Sequence, residues 1–149
     1  MSKEREKGMS LIVKSVTRLT VGLVLLYGIY IVLHGHVSPG GGFAGGVILA
    51  LAFINLVLAF GKETALRKVS ESVQASLECT GALLFLAVAL LGFAGGYFFF
   101  NILPKGRLFD LLSAGIIPVC NIAIGLKVSA GLFSVFLVLV LLDVGREKT

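Results

Sequence analysis

From Leu19 to Gly61 the chain carries no Asp, Glu, Lys or Arg. A stretch of that length crosses a bilayer twice, at about 20 residues per helical span. In hydrocarbon each backbone amide and carbonyl must be satisfied within the protein, and a helix does this inside a single segment. One polar interruption divides the stretch: His34-Gly35-His36-Val37-Ser38-Pro39-Gly40-Gly41-Gly42-Phe43. The stretch therefore reads as two membrane helices joined by a short turn.

Two further apolar runs follow, from about Val73 to Phe100 and from Leu111 to Leu142. The second is too long for one upright crossing at 1.5 Å per residue. Pro118 suits the first turn of a helix. Leu111 to Ile117 is thus expected to lie along the interface, with the crossing beginning near Pro118. The expected fold is an all-α integral membrane protein, a single domain over 1–149 with four transmembrane helices at approximately 15–33, 43–60, 73–100 and 118–142. A mean hydropathy of +1.02 and 14% charged residues, against about 25% in soluble domains, agree with it.

The formal net charge is +5, yet the basic residues flank the apolar runs and form no patch. They are topology signals, and nucleic acid is not an expected partner. With four crossings, one side holds Lys3, Arg5, Lys7, Lys14 and Arg18, then Lys62, Arg67 and Lys68, then Arg146 and Lys148. The other side holds Lys105 and Arg107. The positive-inside rule places both termini in the cytoplasm and the glycine-rich turn on the outer face of the cell membrane. No small-residue cleavage site follows the basic N-terminus, so the first helix is expected to be retained. Cys79 and Cys120 read as small apolar residues at different depths, neither a disulfide nor a metal pair.

Ionisable groups within a span are functional candidates, and there are two, Glu78 and Lys127. Lys127 is expected roughly 22 Å from the cytoplasmic end of its helix, near the midplane. Ala123, Ala130, Gly131 and Ser134 share its face, and small residues of this kind turn toward protein. Glu78 is expected roughly 8 to 14 Å deep and Asn55 at a similar depth, so the two can meet through a hydrogen bond or a water. A direct Glu78–Lys127 pair is disfavoured, because the backbones would differ in depth by roughly 8 to 14 Å. His34 and His36 are candidate proton acceptors at the outer surface, a role suited to histidine as a residue type; the ligands to complete a metal or haem site with them are lacking. Gly42, Gly46 and Ala50 form one stripe of small residues at four-residue spacing, and Gly41 and Gly45 a second, the pattern for close helix contact. Ser38 and Pro39 fit the helix entry as cap and early-turn residue.

The string HGHVSPGGGFAGG, followed by a span, resembles the signature of the MnhB/MrpB family. Its members are small four-helix subunits of Mrp-type multisubunit sodium/proton antiporters. The resemblance extends over the four spans, the glutamate in ECTGALLF and the lysine in NIAIGLKVSAGL. It implies a non-catalytic subunit without cofactor or metal, packed among other membrane subunits of an antiporter module that exchanges sodium ions and protons. Similar subunits occur in membrane-bound hydrogenase and sulfane reductase complexes, so a purely structural scaffold in such a redox-driven complex is the alternative. The motif positions are Pro39, Gly40, Gly41, Gly42 and Phe43, and the charged positions Glu78 and Lys127. An enzyme in its own right is not expected, since no nucleophile stands with a base and no nucleotide loop is present. The ion-path candidates are Lys127, Glu78, His34, His36 and Asn55; the packing positions add Gly45, Gly46 and Gly131.

Overall fold

The computed structural model describes residues 9–37, 40–61, 71–106 and 113–146. Four long helices dominate it: α1 (Leu11–Leu33), α2 (Gly41–Phe60), α3 (Glu71–Leu91) and α4 (Ile117–Arg146). Each is long and apolar enough to cross a membrane. The expected four-span, all-α architecture is therefore present. Ser38, Pro39 and the first two residues, Leu111 and Leu112, of the segment 111–117 expected along the interface lie outside the described residues.

Three of the boundaries that differ from expectation have a local reason. α1 begins four residues early, at Leu11, where the Ser10 side chain accepts a hydrogen bond from the Val13 amide and so caps the first turn. α2 begins at Gly41 with Gly40 as its N-cap residue, which has no side chain to cap the first turn. Gly40 has φ of +125°, a backbone conformation closed to residues with a Cβ. α3 was expected to run to Phe100, but it ends at Leu91 and passes through a single 3₁₀ turn, Gly92–Gly95. Gly96, left-handed at φ +101°, then turns the chain away, as glycine does past a helix C-terminus.

The helices are arranged in a row rather than a closed bundle. α1 packs on α2, α2 on α4, and α4 on α3, with a lighter contact between α1 and α4. Contacts along the row give the directions. The Met9 amide, just before α1, donates to the Ala59 carbonyl at the end of α2 (2.9 Å), and the Arg18 guanidinium lies 5.3 Å from the centre of the Phe60 ring. α1 and α2 are thus antiparallel. α2 and α4 are parallel, for Gly42 meets Asn121 and Gly46 meets Gly125, while Val57 packs with Phe133 and Leu137. α3 and α4 are antiparallel, because Gln74 bonds Ser134 and Gly81 abuts Lys127. This alternation is the one four successive crossings require.

Small residues set the spacing of the row. A Cβ at Gly42 would collide with the Asn121 backbone, and one at Gly46 would stand 2.9 Å from the Gly125 carbonyl oxygen. Gly45 is turned the other way, where a Cβ would come within 2.9 Å of the Val32 amide nitrogen on α1. The two small-residue stripes of α2 thus serve different neighbours, Gly42 and Gly46 toward α4 and Gly45 toward α1. Backbones this close gain dispersion contact, which replaces the hydrophobic driving force that is missing in lipid.

Candidate functional site

At the start of α2 the glycine-rich turn is seated on Asn121 of α4. The Gly42 amide donates to Asn121 Oδ1 at 3.3 Å. This satisfies one of the amides that every helix N-terminus leaves unpaired. Gly35 and Gly41 crowd the same side chain from the turn, and a Cβ at Gly35 would stand 2.8 Å from Asn121 Nδ2. Asn121 is buried. The sequence pattern did not single it out, since one asparagine at the head of an apolar run looks like an interfacial residue. Asn121→Ala removes the acceptor and leaves a void beneath the turn. It should destabilise this end of the molecule by about 2 kcal/mol, read as faster amide hydrogen exchange in the peptide spanning the turn.

The candidates nearby have separate surroundings. His34 stacks on Tyr30, with ring centroids 4.2 Å apart, and its Nδ1 lies 3.1 Å from the Tyr30 carbonyl oxygen. His36 is half-buried. Phe43 is 64% exposed, so its ring faces away from the other helices of this chain. Pro39 lies outside the described residues. Six residues separate Asn121 from Lys127, roughly 9 Å along the axis and well around the helix. The turn and Lys127 therefore occupy different faces of α4.

The charged candidates converge at the α3–α4 seam. A Cβ at Gly131 would lie 3.7 Å from Glu78 Oε1, and one at Gly81 would lie 2.9 Å from the Lys127 amide nitrogen and 3.2 Å from Lys127 Cβ. Glu78 is three residues before Gly81, so its backbone is only roughly 4.5 Å along the axis from the level of Lys127. The expected separation of roughly 8 to 14 Å is thus too large. It assumed that helix ends align at the membrane faces, whereas close contact at Gly81 sets the register. Among the described residues Glu78 and Lys127 nevertheless form no ion pair.

Two further polar residues continue the seam. Ser134 Oγ donates to Gln74 Oε1 at 3.1 Å, and Gln74 is buried, with its Nε2 unpaired among the described residues. Gln74 is one turn before Glu78, and Ser134 one turn after Gly131. Gln74, Ser134, Glu78 and Lys127 therefore form a ladder on successive turns, from the first turn of α3 to the middle of α4. Gln74 was not anticipated, because near a helix start it looks like a headgroup-level residue. Asn55 does not join: it is exposed on α2, whose principal neighbours are α1 and α4. The expected Asn55–Glu78 meeting is not found among the described contacts.

A cleft of about 300 Å³ opens at the upper end of the ladder, lined by Gly81, Ala82, Phe85, Ala123, Ile124 and Lys127. Among the described residues Lys127 is the one charged residue on its wall, and it is exposed on this chain.

Comparison with known proteins matches residues 12–134 to a family model described as a domain related to the MnhB subunit of the Na+/H+ antiporter. An uncharacterized protein of Methanocaldococcus jannaschii is 44% identical over 74% of this chain and 44% of its own length. A Staphylococcus saprophyticus protein named "Putative antiporter subunit mnhB2" is 33% identical over 60% of this chain and 64% of its own. Among solved structures, a chain of the membrane-bound sulfane sulfur reductase, an archaeal respiratory membrane complex, superposes with a TM-score of 0.72 and 31% identity. That match covers 90% of this chain and 61% of the other. In all three cases the chain spans less than two thirds of the relative's length.

Proposed function

Because the chain belongs to the MnhB family of domains related to a Na+/H+ antiporter subunit, we propose that it is a non-catalytic membrane subunit of a multisubunit cation/proton antiporter module. Its partners are other membrane subunits of that complex, and the ions are sodium and protons. It sits in the cell membrane with both termini in the cytoplasm, an orientation that rests on the distribution of lysine and arginine.

One observation carries the ion-path part of this reading: the ladder of Gln74, Ser134, Glu78 and Lys127 along a single seam. Ionisable residues are expensive in hydrocarbon and commonly mark ion or proton pathways. A carboxylate and an ammonium one turn apart, unpaired with each other, can exchange protons with intervening water as ions pass. With the termini in the cytoplasm, the ladder leads from the cytoplasmic face to the mid-plane. His34 and His36 lie at the opposite, outer end and would handle protons there as a separate group.

The test is Lys127→Ala in the assembled complex. Cation-dependent proton exchange in vesicles should fall about tenfold or more, equivalent to a barrier increase of about 1.4 kcal/mol, at unchanged abundance of the complex. Full exchange activity in the variant would remove the ion-path role.

The likeness to a chain of the sulfane sulfur reductase favours a second reading. In it the chain is a structural scaffold within a redox-driven complex, either a sulfane reductase or a membrane-bound hydrogenase. The subunits that co-purify with the chain distinguish the two settings, since a redox-driven complex would bring hydrogenase or flavoprotein subunits with it.

A further inference from the structure

The cleft between α3 and α4 places a charge where none of the described residues neutralises it. Lys127 is the eleventh residue of the span Ile117–Val140, roughly 15 Å from one end and 20 Å from the other. Its side chain reaches about 6 Å, so snorkelling brings the ammonium to neither headgroup region. Among the described residues no carboxylate pairs with it, and Glu78 is turned to Gly131 one turn away. A lysine at this depth is tolerated when it faces a protein or a water-filled cavity and has a counter-charge.

We propose that this cleft seats a transmembrane helix of a neighbouring subunit, held by an Asp or Glu at mid-depth on that helix that pairs with Lys127. The inference rests on the reading of the chain as a subunit of a membrane complex and adds the place and chemistry of one contact. Ala82, half-buried at the mouth of the cleft, is a small residue over which another backbone can approach closely. Phe85 and Ile124 supply apolar walls. A lipid tail would fill the space but leave the ammonium unpaired. A second copy docked symmetrically through the same cleft would bring two Lys127 side chains together, because such an interface pairs each patch with itself. Charge complementarity therefore selects a different chain, one carrying a carboxylate.

The test uses the complex purified from native membranes through a tag on this chain, with a photo-crosslinking amino acid at Ala82 and, as the control, at the exposed Leu83. The Ala82 probe should yield an adduct to one membrane subunit, within a turn of an Asp or Glu in an apolar segment. Lys127→Glu should lower the adduct about tenfold, and Lys in place of the partner's carboxylate should restore it. Should Lys127→Glu not accumulate, Lys127→Met provides the same reading through a smaller loss. Adducts to lipid only, to a second copy, or to a helix without an acidic residue would overturn the proposal, as would an adduct indifferent to Lys127. A purified complex without antiporter-type subunits would instead defeat the functional reading itself.

Discussion

Gly42→Leu is expected to remove the chain from the proposed complex. A Cβ alone at this position would collide with the Asn121 carbonyl and would stand 2.9 Å from Asn121 Cα. These are backbone atoms in the middle of the row, and no rotamer change relieves them. Leucine adds three more carbons, so α2 and α4 must separate, and the Gly42–Asn121 hydrogen bond is lost as well. Overpacking typically costs about 1–3 kcal/mol and an orphaned buried amide about 1–3 kcal/mol more. Together these approach the whole stability of a small domain. The measurement is the amount of chain co-purifying with the complex, followed by size-exclusion chromatography after graded heating. Gly22→Leu is the matched control, since nothing lies within 4 Å of a Cβ there. Gly42→Ala should fall between them. Recovery of Gly42→Leu at the parental level would refute the close packing of α2 on α4.

The second large effect is expected at Gly81, where the damage should be selective. A Cβ there would stand 2.7 Å from the Ala123 carbonyl oxygen and 2.9 Å from the Lys127 amide nitrogen. Gly81→Leu therefore pushes α3 from α4 while the α1–α2–α4 contacts, on other faces, persist. The ladder should come apart, and cation-dependent proton exchange should fall at least about tenfold with the chain still present in the membrane. A structural readout separates this from simple misfolding. With Cys79 and Cys120 replaced by alanine, cysteines at Gln74 and Ser134, whose side chains bond at 3.1 Å, should cross-link readily. In the Gly81→Leu background the cross-link should disappear. A cross-link of unchanged yield would mean that the seam tolerates the added bulk.

How much of this was legible beforehand depends on what each residue signals alone. Four spans follow from apolar runs that only a membrane accommodates, and the small-residue stripes of α2 announce close packing. Their assignment to neighbours was not legible. Helices that are apolar on all sides carry no directional signal in sequence, so the order α1, α2, α4, α3 emerged only from contacts. The same gap misplaced Asn55 beside Glu78 and held Glu78 too far from Lys127. Asn121 and Gln74 were missed because a polar residue near a helix end is ordinarily a headgroup-level residue. Only burial against another helix identifies them as structural. The charged pair was found because a charge inside a span is conspicuous wherever its helix sits.

The row has a consequence for how the protein is made. α3 has its principal long-helix partner in α4, which the ribosome completes last of the four. During synthesis, at about 5–20 residues per second, α1 and α2 can pair as a hairpin as soon as both have emerged. α3 must wait in the bilayer, with Gln74 and Glu78 uncovered, until the segment bearing Lys127 arrives to close the seam. For those seconds the chain's most vulnerable surface is its future polar seam. An insertase or a ready-made neighbouring helix that shelters α3 in that interval would raise the yield of the protein.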